Sequence, residues 1–497
     1  MNISVWFFIS SALFLGWAAG ANNAANLFGT AVISKMVKFR TAAIIAGIFV
    51  VLGSVISGAG TTETLTDLGS VNALAGSFAV AVAVGISIIL MIRAKVLVSS
   101  SQVILGGIIG WNLFTGSPTD NNALFKILSS WVASPVIAAI FGFILFKIVK
   151  NTVLKWKIHL LELDSYTRIG LIIAGALAAY SFGANNIANV MGMFVDSAHL
   201  QDLNVGSVFT LNGEQQLFFF GGAAIAVGIF TYGTNVMDTV GEDFTKISPI
   251  TGLVAISAEI IVLFLFTSQR LEQFLLENNL PTIPLVPLSI TQAFIGAIIG
   301  TGLAKDPHSI NFKVLGRMVV GWAVAPVTAA IITVISLFFI QNVFEQTVVI
   351  PEPYEITNSV IIKLESEGIN ADKIKDLSDK RFFNKREFRN EILQRNNYTN
   401  EQIYSIFAYS LIDSFVVDSN LINSRLHSPE YSKMEIDFLK SLHSKSYSHK
   451  IDFEKDVFQA NNLWQNTGDK LNDKKNEDKK LIIEQLFRIK KTNKSHN

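Results

Sequence analysis

The sequence predicts an all-α membrane protein, a polytopic helical bundle of two inverted repeats with broken helices, followed by a small, mostly helical soluble C-terminal domain. Three observations predict it. Charge is divided unevenly: residues 1–350 hold 16 Lys/Arg and 16 Asp/Glu, about 9% of positions, whereas residues 351–497 hold 24 and 23, about 32%. Apolar stretches long enough to cross roughly 30 Å of hydrocarbon recur through the first part. That first part is also written twice. A mean hydropathy of +0.42 over the whole chain is too high for one soluble globular protein, and 32 of the 34 glycines fall before residue 351.

The apolar stretches lie near Val5–Trp17, Thr41–Ser57, Gly76–Ile92, Val96–Phe114, Ile127–Val149, Ile169–Phe182, Leu217–Tyr232, Pro249–Thr267, Leu288–Leu303 and Val314–Ile340. The first has no basic region ahead of it and runs into Asn residues, so it reads as a span and not as a removable signal. Four basic clusters follow or precede spans: Lys35, Lys38 and Arg40; Arg93 and Lys95; Lys147, Lys150, Lys155 and Lys157; Lys305, Lys313 and Arg317. The positive-inside rule places all four in the cytoplasm. Glu63, Asp67 and Asp120 then face outwards, and ten crossings leave the C-terminal tail outside. A multi-pass protein of the cell (inner) membrane, with the lipid bilayer as its partner, is expected.

The repeat is the strongest feature. Gly20-Ala-Asn-Asn-Ala-Ala-Asn26 returns as Gly183-Ala-Asn-Asn-Ile-Ala-Asn189, an offset of 163. Val98-Ser-Ser-Ser-Gln102 and its Gly-rich run to Gly110 match Leu288-Ser-Ile-Thr-Gln292 and the run to Gly300, an offset of 190. Ser130-Trp-Val-Ala-Ser-Pro135 matches Gly321-Trp-Ala-Val-Ala-Pro326, an offset of 191. The order is kept and the offsets grow only through loop insertions. This divides the membrane part into repeats over 1–158 and 159–345. Five crossings in each copy, an odd number, invert the second relative to the first. Such repeats are the architecture of secondary transporters, with the substrate site near the midplane between copies.

Three motif groups could carry the chemistry. Asn22, Asn23 and Asn26, with Asn185, Asn186 and Asn189, put three amides within five residues of each copy. An amide without a partner in hydrocarbon costs a few kcal/mol, so these should face a polar cavity or another helix. Their small neighbours would let backbones approach or a helix break. The plainer alternative is a Gly/Ala packing seam cross-linked by amides. Ser99, Ser100 and Ser101, with Ser289 and Thr291, each precede a Gln and a Gly-rich run. If that run is a half-helix, its free N–H groups and the hydroxyls make an anion site without a fixed positive charge; otherwise these residues merely cap helices. Amide, hydroxyl and carbonyl oxygens also suit Na⁺ at half-helix ends. Glu259 is the one carboxylate in the middle of a span, pointing to cation coupling or a proton relay, or to a buried structural acid.

Other chemistries find no support. A net charge of +1 gives no argument for nucleic acid, and no cysteine is present for thiolate metal sites or nucleophiles. No P-loop, triad or His-ligand spacing occurs, so an enzyme, a bound cofactor and a metal site beyond Na⁺ are not expected.

The doubled motifs resemble those of the inorganic phosphate transporter family of cation-coupled symporters, over about residues 1–345. The family's Gly-Ala-Asn-Asp-x-x-Asn signature is matched at Gly20–Asn26 and Gly183–Asn189, and its Ser-Thr-Thr-His segment at Ser99–Gln102 and Ser289–Gln292. Thr239, Gly241 and Glu259 resemble the family's threonine–glycine and mid-helix acid pattern. The resemblance implies symport of inorganic phosphate with Na⁺ or H⁺. It assigns substrate binding to Asn22, Asn23, Asn26, Ser99, Ser100, Ser101, Gln102, Asn185, Asn186, Asn189, Ser289, Thr291 and Gln292, and ion coupling to Glu259, Asn23 and Asn186. This chain departs from the pattern coherently in both copies: the signature Asp is Asn23 and Asn186, and the signature His is Gln102 and Gln292. Exchanging Asp for Asn removes a strong acceptor and adds donors, which favours a fully deprotonated anion such as sulfate relatively more. A sulfate or other tetrahedral-oxyanion permease is therefore the alternative. An anion channel, a transporter-derived sensor and a homo-oligomer also stay open.

Pro351 and Pro353 mark the start of a soluble, charged C-terminal domain over 351–497. Phe382, Phe383, Phe388, Tyr404, Phe407, Tyr409 and Phe415 give it enough apolar surface to pack, and Glu401–Asp413 has helical spacing. Asp469–Lys480 is a mixed-charge run that reads as disordered or as a solvated helix, and the end of the chain as disordered. Leu481–Lys491 reads as a basic amphipathic helix.

Overall fold

In hydrocarbon a backbone must satisfy its own polar groups, and the α-helix does so within one segment. Among the described residues of this computed structural model, eight helices are long and apolar enough to cross a membrane. The structure describes all residues except 1–2, 62–70, 157–158, 199, 201–202, 206–208, 242–247, 279, 284, 287, 307–311, 379, 427–430, 461–462, 466–467 and 490–497. Glu63, Asp67 and Lys157 lie outside the described residues. The chain divides into two compact units, one of residues 1–115, 119–269 and 283–350, the other of 116–118, 270–282 and 351–497.

The membrane unit begins with α1 (Ile3–Ala24), a π-helical turn (Ala25–Gly29) and α2 (Thr30–Ile33). It continues through α3 (Phe39–Ser57), α4 (Leu74–Arg93), α5 (Ser100–Thr115), α6 (Asn121–Trp156) and α7 (Leu160–Ala198). After a hairpin of β1 (Leu203–Val205) and β2 (Phe209–Leu211) come α8 (Gly213–Gly241) and α9 (Pro249–Thr267), and then α10 (Gln269–Glu277), which from Arg270 onward belongs to the second unit. The last two are α11 (Ile290–Lys305) and α12 (Phe312–Asn342). Two of the ten apolar stretches do not become long helices. Each starts as non-helical backbone, at 96–99 and 288–289, and turns helical only at Ser100 and Ile290.

The two copies share one core because their helices exchange partners. A Cβ on Gly20 of α1 would lie 2.0 Å from the Ile225 carbonyl oxygen of α8, and one on Gly228 of α8 would lie 2.0 Å from that of Trp17. The same arrangement recurs between α3 and α7, where Gly53 meets Tyr180 and Gly183 meets Val50. It recurs again where Gly106 of α5 meets the Pro326 carbonyl of α12 and Gly296 of α11 meets that of Pro135 in α6. Each contact has a counterpart in the other copy, Gly20 with Gly183 at the offset of 163, Gly53 with Gly228 at one of 175, and Gly106 with Gly296 at 190. Glycine is required there because only a Cα–H can face a carbonyl at that range.

A helix break at the asparagine motifs is not what the backbone does. α7 runs unbroken through Gly183–Asn189, and in the first copy the helix only widens into a π turn at Ala25–Gly29. The small residues serve close approach, and helical bonding is kept because no water is present to replace it.

The second unit holds two cores. One gathers Tyr354, Phe388 and Phe407, with Phe388 and Phe407 rings 4.9 Å apart. The other gathers Phe415, Phe453, Trp464, Ile483 and Phe487. Its elements are β3 (Tyr354–Glu355), α13 (Asn358–Ser366), β4 (Arg381–Phe382), α14 (Lys385–Arg395), α15 (Asn400–Ser410), β5 (Ile412–Val416), α16 (Ser419–Arg425), α17 (Lys433–Ser441), β6 (Ser446–His449), α18 (Lys450–Glu454) and α19 (Lys470–Phe487). The helical spacing read through Asp413 ends at Ser410, and Ile412–Val416 pairs instead as a strand with β6. The mixed-charge run is helical: Asp469 caps α19, and four residues apart Ile483 and Phe487 anchor it in the core. Lys479 of α19 donates to Glu435 at 2.9 Å. Burial opposes the charged form of Glu435, but the hydrogen bonds from Lys479 and Ser432 prevail and hold its carboxyl below the usual range.

Candidate functional site

The site is built where the two non-helical segments meet the two asparagine motifs. The first asparagine of each motif grips the chain just before a broken helix. Asn22 Nδ2 donates to the Val98 carbonyl at 2.7 Å and its Oδ1 accepts from Val98 N at 3.4 Å. Asn185 does the same for Leu288, at 2.9 and 3.0 Å. Both amides thus mimic a strand partner for a segment that has none.

The third asparagine crosses to the other copy. Asn26 Nδ2 donates to Thr291 Oγ1 at 3.1 Å, and Asn189 Nδ2 donates to Ser101 Oγ at 3.0 Å. Each also donates to the second asparagine of its own motif, Asn23 Oδ1 or Asn186 Oδ1, at 3.1 Å. The hydroxyls close the ring: Thr291 donates toward the Val98 carbonyl at 3.2 Å, and Ser101 to the Leu288 carbonyl at 3.1 Å. Asn23 Nδ2 further reaches Ser100 Oγ at 3.1 Å, a contact without a counterpart because Ile290 stands at the equivalent place. Ser99 and Ser289 accept from the Gln102 and Gln292 backbone N–H at 3.3 and 3.2 Å, so these two hydroxyls cap α5 and α11.

All thirteen predicted binding residues are buried, and four of their acceptor oxygens have no hydrogen-bond partner: Asn26 Oδ1, Asn189 Oδ1, Gln102 Oε1 and Gln292 Oε1. They again form two equivalent pairs. A buried acceptor without a protein donor is costly, so these four oxygens are the positions on the ring at which a water, a donor group or a cation would be best accommodated. The starts of α5 and α11 supply N–H groups and a positive dipole end on the same ring. No Lys or Arg lies in any of the four segments.

Glu259 sits on α9, which packs against α6, α7 and α11, and is fully buried with neither oxygen partnered. No hydrogen bond joins it to the ring described above. Thr239 and Gly241 lie at the end of α8, beside residues outside the described set. The residues that side-chain reasoning missed are Val98 and Leu288, whose carbonyls each receive two side-chain donors. Their signal was position: each opens the matched segment of its copy.

Comparison with known proteins shows the family and the fold. A family model described as the phosphate transporter family matches residues 19–333. The chain is 28% identical over 335 residues to a protein of Methanocaldococcus jannaschii named as a phosphate permease, spanning 67% of this chain and 96% of that one. It is 26% identical over 336 residues to the sulfate permease of Bacillus subtilis, spanning 66% and 86%. A solved structure titled the sodium-dependent phosphate transporter shares the fold, with a TM-score of 0.56 at 20% identity over 68% of this chain and 99% of that one.

Proposed function

The chain belongs to the phosphate transporter family and is an integral, multi-pass membrane protein, and from that premise we propose that it is a secondary active symporter of inorganic phosphate driven by Na⁺. The observation that carries the reading is the pair of broken-helix starts bound crosswise to the asparagines of the opposite copy, with unpartnered carbonyl oxygens left on the ring. Two inverted repeats over 1–158 and 159–345 would place that ring between them, where relative motion of the copies exposes it to each side in turn. The α5 and α11 starts, with Asn23, Asn26, Ser100, Ser101, Asn186, Asn189 and Thr291, would hold the anion. Gln102, Gln292 and the free amide oxygens of Asn26 and Asn189 suit Na⁺, which supplies the positive charge that no side chain provides. Asn22, Asn185, Ser99 and Ser289 act by positioning, because their polar atoms already bind backbone.

Glu259 supports ion coupling, since a buried carboxyl without a partner is stable only when protonated or beside a cation. Proton coupling is the second reading that this same residue favours. Sulfate is the second substrate reading, favoured by amides where the family carries a carboxylate acceptor and by the similarity to a sulfate permease.

Uptake of labelled phosphate and labelled sulfate into proteoliposomes, with and without an inward Na⁺ gradient, tests the proposal. Concentrative phosphate uptake that collapses without the Na⁺ gradient is expected, with sulfate a poor competitor. Equilibration without accumulation would instead mean a channel, and binding without flux a sensor. Glu259→Gln is expected to lower gradient-driven uptake by about tenfold or more, the scale of losing one intramembrane charge, with unchanged recovery of folded protein. Uptake that is unaltered in this variant removes Glu259 from the coupling mechanism.

A further inference from the structure

A groove of about 590 Å³ runs along the membrane-facing side of α3 and α8, and none of the asparagines of the two motifs lines it. Its floor is made of small residues, Ala43 and Gly47 from α3 with Ala223 and Ala226 from α8, and its walls of Ile48 and Phe230. The walls are about half exposed, Ile48 54% and Phe230 49%. The one polar side chain in it, Thr231, is already satisfied: its hydroxyl donates to the Val227 carbonyl at 2.7 Å and accepts from Trp17 Nε1 at 2.9 Å. Nothing polar in the groove calls for a polar occupant.

One end of the groove is charged. Arg40 lies one turn before Ala43 and Ile44, on the same helical face that continues through Gly47 and Val51, and Lys35 and Lys38 precede it. All three are exposed, and none has an ion-pair partner among the described residues. α3 also starts without a side-chain cap and without an acid in its first turn, so its leading N–H groups add to the positive end. Their charge marks this end of the groove as cytoplasmic.

We propose that the groove holds one acyl chain of an anionic phospholipid, with its phosphate at Arg40, Lys38 and Lys35. Lipid tails are as apolar as the groove, so the groove sets shape and the basic end sets selection. A second copy of the chain fits less well. A twofold axis along the membrane normal keeps every residue at its own depth, which brings the two basic clusters to the same level at the contact.

The test is native mass spectrometry of the purified full chain, equilibrated with equal amounts of dioleoyl phosphatidylglycerol and dioleoyl phosphatidylcholine. Retained phosphatidylglycerol should exceed phosphatidylcholine by roughly tenfold, the scale of one or two basic side chains at a lipid surface. Arg40→Gln with Lys38→Gln, both at exposed positions, should bring the two lipids to parity. Ala226→Leu should release both lipids while the size-exclusion profile stays unchanged. Parity in the unmodified protein, or a preference that survives the Arg40 and Lys38 changes, overturns the proposal. So does a protein dimer that Ala226→Leu dissociates, which would give the groove to a second copy.

Discussion

Asn26→Leu and Asn189→Leu are each expected to cut concentrative uptake by about 10–100-fold, and together to abolish it. Each amide joins its own motif to the other copy, Asn26 through Thr291 and Asn189 through Ser101, and each presents a free oxygen to the ring. A hydrogen bond to a charged group is worth about 1.5–3 kcal/mol, and 1.4 kcal/mol is a factor of ten. The hydroxyls left behind keep a second partner, since Thr291 still reaches the Val98 carbonyl and Ser101 that of Leu288. The variants should therefore be recovered folded, with the loss confined to transport. Uptake above half the unmodified rate in both single variants, measured at equal protein in proteoliposomes, would remove these residues from the ion path.

The largest effect on the fold should come from Gly300→Val. A Cβ there would lie 1.9 Å from the Ala139 carbonyl oxygen, and the facing atoms belong to the α6 backbone rather than to a side chain that can turn away. α6 and α11 would have to separate by more than 1 Å along the contact that also seats Gly296 on Pro135. Overpacking typically costs about 1–3 kcal/mol where side chains can adjust, and more where two backbones are rigid, against a total stability of about 5–15 kcal/mol. Loss of the monodisperse peak, or a fall of more than about 10 °C in melting temperature, is expected. Gly316→Ala in α12 is the control, because nothing lies within 4 Å of the added methyl. Equal behaviour of the two variants would show that the helix contacts are looser than the glycines imply.

Much of this was legible in the chain. Hydropathy, charge and repetition are properties of consecutive residues, so the membrane part, the sequence repeat and the motifs that the fold brings together could be read directly. The tail was less legible. Its mixed-charge run carries no strong local signal for order, and α19 is held by Ile483 and Phe487 reaching a core built from residues far away in sequence. The strand at Ile412–Val416 depends in the same way on β6, thirty or more positions later.

The six asparagines show where local reading stops. They are alike in type, and the sequence sets only Asn23 and Asn186 apart, as the positions where the family signature carries Asp. The fold separates them by role: Asn22 and Asn185 hold backbone, Asn23 and Asn186 accept from their neighbours, and Asn26 and Asn189 cross to the opposite copy. The chain by itself determined that each amide cluster needs a polar cavity or another helix inside hydrocarbon, because no water is there to satisfy it. Which amide meets which carbonyl was decided only when glycine contacts such as Gly106 on Pro326 and Gly296 on Pro135 brought backbones of different copies together. A buried hydrogen bond goes to whatever group the packing delivers within about 3 Å, and that delivery is a property of the assembled helices.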